Sequence, residues 1–306
     1  MKATRDGFGE QLFISSEKNK NILVLSADLG KATKVDKFSK YYPDRFFEIG
    51  IAENNMIGIA SGLSDNGYKV FLASFSSFLT GKYDTIRCSI SYSNSPCILV
   101  GTHSGMAIGR DGVTQMGLED ISLMRSLPNM VVLNPSTYIE TMKMVEYICD
   151  AELKHPHYLR LGRQPALEIF DENYKFEFGN GVVIKEGSDG VIFSTGCVLS
   201  DVIEATKNID INIINIHTIK PIDKEIIIKY TSLYKKVFTI EDHSIIGGLG
   251  SSVAEIMAEN GIGSILTRIG LNDMFPESGS PSDLYEKYGL SINKIKEKIN
   301  TILNDR

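Results

Sequence analysis

The sequence predicts an α/β protein built from two doubly wound domains, each with a mainly parallel sheet. Short β-branched runs alternate with longer segments of helical spacing along almost the whole chain. Buried parallel strands are typically continuous apolar runs joined by crossover helices, which is the pattern seen here. The length of 306 residues allows two domains, and 42% hydrophobic with 23% charged residues is an ordinary globular composition.

The strands of the first domain are predicted from five apolar runs. In chain order these are Ile22–Leu25, Phe46–Ile49, Val70–Leu72, Ile98–Val100 and Val131–Leu133. After Pro135, apolar residues recur at helical spacing and predict a helix over Thr137–Ile148. A further strand-like run, HYLRLGRQP, carries Arg163 near its end.

A domain boundary is expected near residue 180. Helical periodicity disappears between 167 and 187, where turn residues gather. We therefore expect a first domain at 1–178 and a second at 185–306. The second domain repeats the alternation, with strands predicted at Val191–Ser194, Ile211–Ile216, Val237–Ile240 and Ile265–Ile269, and a closing helix at Ile292–Leu303.

Charge and composition exclude several function classes. With 32 basic and 38 acidic residues the net charge is −6, and no basic block is present, so we expect neither a nucleic acid nor a membrane as partner. No apolar run approaches the ~20 residues of a membrane helix, and the N-terminus lacks a signal-peptide core. Four widely spaced cysteines without a CxxC pair indicate reduced thiols in a cytoplasmic protein, with no metal site.

Glu53 is the first candidate for chemistry. Doubly wound sheets bind ligands at the carboxyl ends of their strands. Glu53 follows one such strand, in GIAENNMIGIASG, where a helix should begin. A carboxylate there could simply favour the helix through the macrodipole. Alternatively, it is held in an apolar pocket, ready to share a proton with a nitrogen of a ligand.

Two aromatic residues follow the next strand. Phe75 and Phe78 are three residues apart, so we expect them on one face of a helix. Such a pair is usually part of the core. The alternative is an aromatic wall on which a flat heterocycle stacks.

The glycine-dense loop at 101–120 carries polar candidates. His103, Arg110, Asp111 and Gln115 lie in this long loop, and long glycine-rich loops after strands are frequently functional. A satisfied core histidine is the alternative for His103. Outside the loop, Arg5 and Arg163 are candidate phosphate ligands, because a guanidinium matches phosphate oxygens bidentately.

These motifs together resemble the C-terminal half of a transketolase. The likeness rests on SADLGKAT, RFFEIGIAENNM, FSSFLTGKYDTIR, THSGMAIGRDGVTQMGLEDISLMRSLPN, LGRQP, HTIKPID and IEDHSIIGGLGSS, and it covers essentially the whole chain. It implies a thiamine diphosphate pyrimidine-binding domain followed by a transketolase C-terminal domain. The implied activity is transfer of a two-carbon ketol unit from a ketose, or ketose phosphate, to an aldose.

The resemblance also implies roles for individual residues. Glu53 would hydrogen-bond the aminopyrimidine ring of the cofactor, and Glu53 and His103 are the implied catalytic residues. The implied cofactor pocket comprises Glu53, Phe75, Phe78, Asp28 and Leu29, and the implied substrate contacts are Arg5, His103, Asp111, Gln115 and Arg163. Gln115 stands where the family usually has a histidine, and a neutral amide cannot carry a proton near neutral pH.

Because the resemblance is to the C-terminal half of a transketolase, it also implies a partner subunit. The family binds diphosphate and Mg²⁺ through a Gly-Asp-Gly motif, and the nearest string in this sequence is Arg110-Asp111-Gly112 in the predicted substrate loop. The resemblance therefore implies an N-terminal thiamine-diphosphate-binding subunit that holds the Mg²⁺, in an α₂β₂ assembly.

Alternative functions remain open at this point. A transketolase-like enzyme with an altered substrate, for example in modified or branched sugar synthesis, matches the same motifs. Deoxyxylulose phosphate synthase has a similar aromatic helix, whereas a 2-oxo acid dehydrogenase β subunit fits the loop at 101–120 less well. A non-catalytic, partner-binding subunit is a further alternative, which intact Glu53 and His103 argue against.

Overall fold

The computed structural model of the protein describes residues 1–305. The helices are α1 (Thr4–Lys18), α2 (Asp36–Tyr41), α3 (Glu53–Asp65), α4 (Ser76–Thr80), α5 (Tyr83–Thr85), α6 (Asp120–Ser126), α7 (Tyr138–Asp150), α8 (Leu199–Ala205), α9 (Lys224–Leu233), α10 (Leu249–Glu259), α11 (Pro281–Tyr288) and α12 (Ile292–Asn304). The segment Ile86–Tyr92 continues α5 as a π-helix. Within residues 1–305, no helix is both long and apolar enough to cross a bilayer.

The strands form two large sheets and one short pair. They are β1 (Lys2–Ala3), β2 (Ile22–Ser26), β3 (Phe46–Glu48), β4 (Lys69–Phe75), β5 (Ile98–Thr102), β6 (Val131–Leu133), β7 (His157–Arg160), β8 (Pro165–Ala166), β9 (Val182–Lys185), β10 (Val191–Thr195), β11 (Asn212–Asn215), β12 (Thr218–Lys220), β13 (Lys236–Ser244) and β14 (Ile265–Leu271). The short pair is β1 with β8, which run antiparallel.

The first sheet has seven strands in the order β12-β6-β7-β5-β4-β2-β3. All neighbours are parallel except β12, which pairs antiparallel with β6. The strand β2 is buried at every residue, as expected for a parallel strand covered on both faces. The predicted doubly wound architecture is confirmed for this sheet.

The second sheet has five strands in the order β14-β13-β10-β11-β9. The central pairs are parallel, and β9 runs antiparallel to β11 at the edge. The helix after β10 leads to β11 on one side, whereas the helix after β13 leads to β14 on the other. The carboxyl ends of β10 and β13 therefore form the topological switch point of this sheet.

Three details differ from the sequence prediction. The segment Val182–Lys185, assigned to the turn-rich region before the second domain, is the edge strand β9. The residues after β11 form β12, which joins the first sheet rather than the second. The strand containing HYLR ends at Arg160, so Arg163 lies in the loop beyond it.

The two sheets share apolar packing. One cluster combines residues of the first sheet, such as Leu72 and Leu99, with residues of the second half, such as Phe193 and Ile214. Another cluster places Met106, Ile108, Met116 and Leu118, from the glycine-dense loop, against residues of the second sheet and of α8, α11 and α12. The second half of the chain therefore fixes the position of the loop at 101–120.

A buried ion pair reinforces this contact between the halves. Arg160 at the end of β7 is 6% exposed in its side chain, and its Nε donates to Asp120 Oδ2 at 2.8 Å. Its Nη2 donates to the backbone carbonyl of Asp242 in β13, at 2.9 Å, and to that of Gly117, at 3.2 Å. Tyr158 also donates to Asp120, at 2.7 Å. One guanidinium thus joins β7, the glycine-dense loop and β13.

Candidate functional site

The predicted site residues follow four neighbouring strands of the first sheet. In the order β5-β4-β2-β3, these strands lead into His103, Phe75 and Phe78, Asp28 and Leu29, and Glu53 respectively. Chain connections leave β2 and β4 in opposite directions, so the switch point of this sheet lies between them. The sequence-predicted residues therefore gather at the position where such sheets bind ligands.

Glu53 is the first residue of α3, as predicted. It is 8% exposed, so it lies below the surface of the first domain. No group within residues 1–305 donates a hydrogen bond to its carboxylate, although buried carboxylates normally have partners. The arrangement leaves a helix-start carboxylate whose proton-accepting oxygens remain available to a ligand.

Glu48 joins the loops after β2 and β3. Its Oε1 accepts hydrogen bonds from the backbone N–H of Asp28, at 2.7 Å, and of Gly50, at 3.1 Å. Asp28 adopts a left-handed conformation with φ +60°, which is uncommon for a residue other than glycine. Leu29 N donates to the Ser26 hydroxyl at 3.3 Å. The sequence analysis missed Glu48, although an acidic residue at the end of a strand on the ligand edge is a recognisable signal.

Phe75, Phe78 and His103 form a stack of three rings. The centroids of Phe75 and Phe78 lie 5.2 Å apart with 21° between the ring planes, and Phe75 lies 3.9 Å from His103. The expectation that both phenylalanines share a helix face is wrong, because Phe75 ends β4 and only Phe78 belongs to α4. Both phenylalanines are only partly buried, so the stack borders the site.

Hydrogen bonds hold His103 in one tautomer. Arg5 Nη1 lies 2.9 Å from His103 Nε2, and because a guanidinium only donates, Nε2 must accept. The proton of the neutral ring then lies on Nδ1 and is donated to Thr102 Oγ1 at 2.9 Å. The Thr102 hydroxyl in turn donates to the carbonyl of Ser74 at 3.3 Å. We assign the tautomer from this network.

His103 is neutral in this arrangement. Burial, and then the charges of Arg5, Arg163 and Lys34, lower the pKa of His103 to about 3. The residue also has φ +59°, a strained conformation that occurs preferentially at functional sites. His103 therefore acts as a neutral hydrogen-bonding group near neutral pH.

Replacing His103 by asparagine tests this neutral state. Between the ordinary pKa of about 6.5 and the folded pKa of about 3, the unfolded chain binds a proton that the folded chain does not. We therefore expect the free energy of unfolding of the native protein to fall relative to that of His103→Asn as the pH drops below 6.5. Asparagine tolerates the positive φ. Urea denaturation over a pH series measures the difference, and a difference independent of pH contradicts the assignment.

The loop at 101–120 is held from two sides. Gly105 has φ +77°, and an added Cβ would lie 2.0 Å from Asp242 Oδ2, so only glycine fits. On the other side, Arg163 Nη1 donates to the carbonyl of Ile108 at 2.9 Å and to Asp111 Oδ2 at 3.1 Å. The predicted phosphate ligand Arg163 and the predicted sugar contact Asp111 are thus paired with each other.

Two predicted residues, Gln115 and Glu53, form no side-chain hydrogen bond with Arg5, His103, Asp111 or Arg163 within residues 1–305. Gln115 ends the short turn Val113–Gln115, is half-buried, and forms no side-chain hydrogen bond within residues 1–305. Glu53 likewise has no hydrogen bond to the His103 network in that part of the chain. Lys34 was missed by the sequence analysis, yet its Nζ lies 3.0 Å from Asp6 Oδ1 and its charge acts on His103. A basic residue in the loop after β2 was the available signal.

Two protein-family models match this chain. The model described as transketolase, pyrimidine binding domain, matches residues 1–166, and the model described as transketolase, C-terminal domain, matches residues 179–295. The chain belongs to the transketolase family. The resemblance stated from the sequence motifs is therefore confirmed.

The chain is similar to two transketolase subunits of about its own length and to a longer enzyme. The chain is 41% identical to a transketolase C-terminal section of Methanocaldococcus jannaschii, covering 97% of this chain and 95% of the relative. It is 35% identical to a 6-deoxy-6-sulfo-D-fructose transketolase subunit of Clostridium sp., covering 95% and 91%. With 1-deoxy-D-xylulose-5-phosphate synthase of Caldanaerobacter subterraneus the identity is 33%, and the chain spans about half of that enzyme, 48%.

Solved transketolase structures have the same fold. A split-gene transketolase, described as an inactive β4 tetramer, matches with a TM-score of 0.90 at 38% identity over 98% of both chains. The transketolase of Campylobacter jejuni matches with a TM-score of 0.80 at 21% identity, over 98% of this chain and 46% of that one. This transketolase-family chain therefore corresponds to one half of a full-length transketolase fold.

Proposed function

We propose that this chain is the pyrimidine-binding subunit of a split, thiamine-diphosphate-dependent transketolase. It transfers a two-carbon ketol unit from a ketose donor to an aldose acceptor, together with an N-terminal partner subunit in an α₂β₂ assembly. The observation that carries the proposal is Glu53, a residue that is 8% exposed and whose carboxylate has no hydrogen-bond partner within residues 1–305. The similarity to transketolase chains of the same length supports the separate partner.

The residues of the site fit the pyrimidine ring of this cofactor. Glu53 offers a hydrogen-bond acceptor for a protonated ring nitrogen. The partly exposed ring of Phe78, with Phe75 stacked against it, offers an aromatic surface for stacking. In this proposal Asp28 and Leu29 line the same pocket, and the partner holds the diphosphate and Mg²⁺. When bound, thiamine diphosphate supplies a carbon nucleophile for the ketose carbonyl.

The residues of this chain then have separate tasks. Glu53 holds a proton at the ring nitrogen, which is the general acid–base role that a positioned carboxyl can fill. Arg5 and Arg163 bind the anionic end of the sugar. In this structure, Arg5 is hydrogen-bonded to His103 and Arg163 is paired with Asp111. When the anionic group of the substrate binds Arg5 and breaks its hydrogen bond to His103, the Nε2 atom of His103 can accept a hydrogen bond from a sugar hydroxyl. Asp111 and Gln115 complete the sugar contacts.

The anionic group of the donor is a phosphate or a sulfonate. A sulfonate donor is the second candidate, because a relative 35% identical over 95% of this chain is named for a sulfonated fructose. Gln115, which replaces the usual family histidine, leaves the site with a neutral amide at one sugar contact. We place the enzyme in the cytoplasm, in keeping with the four cysteines, none of which forms a disulfide.

Reconstitution tests the proposal. The chain, its partner subunit, thiamine diphosphate and Mg²⁺ are mixed with fructose 6-phosphate, its 6-sulfo analogue or unphosphorylated fructose, and ketol transfer to an aldose is measured. We expect transfer only when both subunits are present, with a lower KM for one of the two anionic donors than for fructose. Absence of transfer from all three donors, or transfer by this chain without its partner, contradicts the proposal.

A further inference from the structure

A polar cavity lies at the switch point of the second sheet, beside the loop at 101–120. Its volume is about 100 Å³, and its walls come from both halves of the chain. Thr195, Cys197 and Asp201 follow β10, Asp242 belongs to β13, and Arg160 and Gly162 contribute from the first half. Doubly wound sheets bind ligands at this position, and none of the residues that line the cavity is one of the predicted site residues.

The hydroxyl groups of the cavity wall already have acceptors within the chain. Ser104 Oγ donates to the carbonyl of Leu161 at 2.7 Å, and Ser200 Oγ donates to that of Cys197 at 3.1 Å. The Tyr285 hydroxyl donates to Asp242 Oδ2 at 2.7 Å. Because these hydroxyl protons are already donated within the chain, we do not assign these groups as hydrogen-bond donors to a ligand.

Two charged side chains of the cavity wall, Asp201 and Arg160, have polar atoms without a hydrogen-bond partner within residues 1–305. Asp201 accepts no hydrogen bond within residues 1–305, and burial together with the charge of Asp242 raises its pKa to about 6. Arg160 uses Nε and Nη2 for Asp120 and two carbonyls, but its Nη1 has no acceptor within that part of the chain. The Arg160 side chain is 6% exposed and lines the cavity, so Nη1 is a largely buried donor.

We propose that this cavity binds a small zwitterion, a free α-amino acid of glycine or alanine size. The ammonium group of the ligand pairs with the Asp201 carboxylate, and the carboxylate of the ligand accepts from Arg160 Nη1. A single water needs about 10–15 Å³ of a cavity volume measured in this way, so this cavity has room for several waters or for a small ligand. Glycine, with five non-hydrogen atoms, can enter a cavity of this size.

Ligands of a single charge fit the same walls less well. A simple anion would face the carboxylates of Asp201 and Asp242. A simple cation would leave Arg160 Nη1 without an acceptor, although the charge of Arg160 is already balanced by Asp120. Within residues 1–305, no group of three or more His, Cys, Asp or Glu side chains is placed to hold a metal ion. A zwitterion satisfies the acceptor and the donor together and brings no net charge into the enclosed space.

Calorimetric titration of the whole chain tests the proposal, at a pH above the pKa of Asp201. Glycine is the probe, and methylammonium, acetate and glycerol are the comparison probes. We expect saturable binding of glycine and at least about tenfold weaker binding by Asp201→Asn, as is typical when a charged hydrogen-bond partner is lost. Glu204→Gln, an exposed carboxylate on the same helix α8, should bind like the native chain.

A second variant distinguishes loss of the binding site from loss of folding. Ser200→Leu places an apolar side chain into the cavity from α8, and it should abolish glycine binding in a chain whose thermal unfolding stays cooperative. Equal binding by Asp201→Asn and the native chain overturns the proposal. So does binding of acetate or methylammonium as tight as that of glycine, or no saturable glycine binding at all.

Discussion

Glu53→Gln is expected to lower the kcat of the reconstituted enzyme by roughly 1,000-fold, within the range typical of a lost general acid–base group. Glutamine has nearly the same shape but cannot share a proton with a ring nitrogen. Because no group within residues 1–305 hydrogen-bonds the Glu53 carboxylate, the substitution should leave folding intact. Steady-state kinetics and thermal unfolding measure the two effects separately.

Glu225→Gln is the matched control for this substitution. Glu225 also lies in the first turn of a helix, α9, but it is exposed and far from the site in the sequence. If Glu53 served only the helix dipole, both variants would lose the same few tenths of a kcal/mol of stability and keep full activity. We expect activity to be lost only in the Glu53 variant, and full turnover by that variant would remove Glu53 from the mechanism.

Asp120→Asn is expected to destabilise the folded chain by about 3–5 kcal/mol, the usual cost of removing one partner of a buried ion pair. Asp120 is fully buried and accepts from Arg160 Nε at 2.8 Å and from the Tyr158 hydroxyl at 2.7 Å. The substitution leaves the Arg160 guanidinium buried without its counter-charge. Since whole proteins are stable by about 5–15 kcal/mol, the loss is a large fraction of the total.

Urea denaturation of the variant measures this loss, with Glu259→Gln as the control. Glu259 forms an ion pair of 3.7 Å with Lys224, but both side chains are more than 60% exposed, at 65% and 63%. Exposed pairs of this kind contribute about 0–1 kcal/mol. Similar losses in both variants would show that burial does not determine the strength of the Asp120 pair.

The long elements of the fold could be predicted from the sequence. Continuous apolar runs identified β2, β4, β5 and β10, because buried parallel strands expose neither face to water. The spacing after Pro135 identified α7, and Thr137 accepts from Glu140 N at its start. Glu53 was placed at a helix start because helices begin where apolar periodicity begins.

Two short strands and the long-range contacts could not be predicted in this way. The strands β9 and β12 are about as short as β3 and β6, which were predicted, but β9 lies among turn residues and β12 follows β11 after only two residues. The partner of β12 lies about 85 positions earlier in the chain, and only packing of the finished fold selects it. The hydrogen bond between Arg5 and His103 likewise joins residues that no local pattern relates.

The strand β12 belongs to the second half of the chain but pairs with β6 of the first sheet, so the first sheet is incomplete without the second half. A gene ending just before residue 180 would encode a fragment in which β6 is the outermost strand, with unpaired backbone groups along its length. Open strand edges of this kind recruit other chains and promote aggregation. We therefore expect a break between the two halves described here to be poorly tolerated.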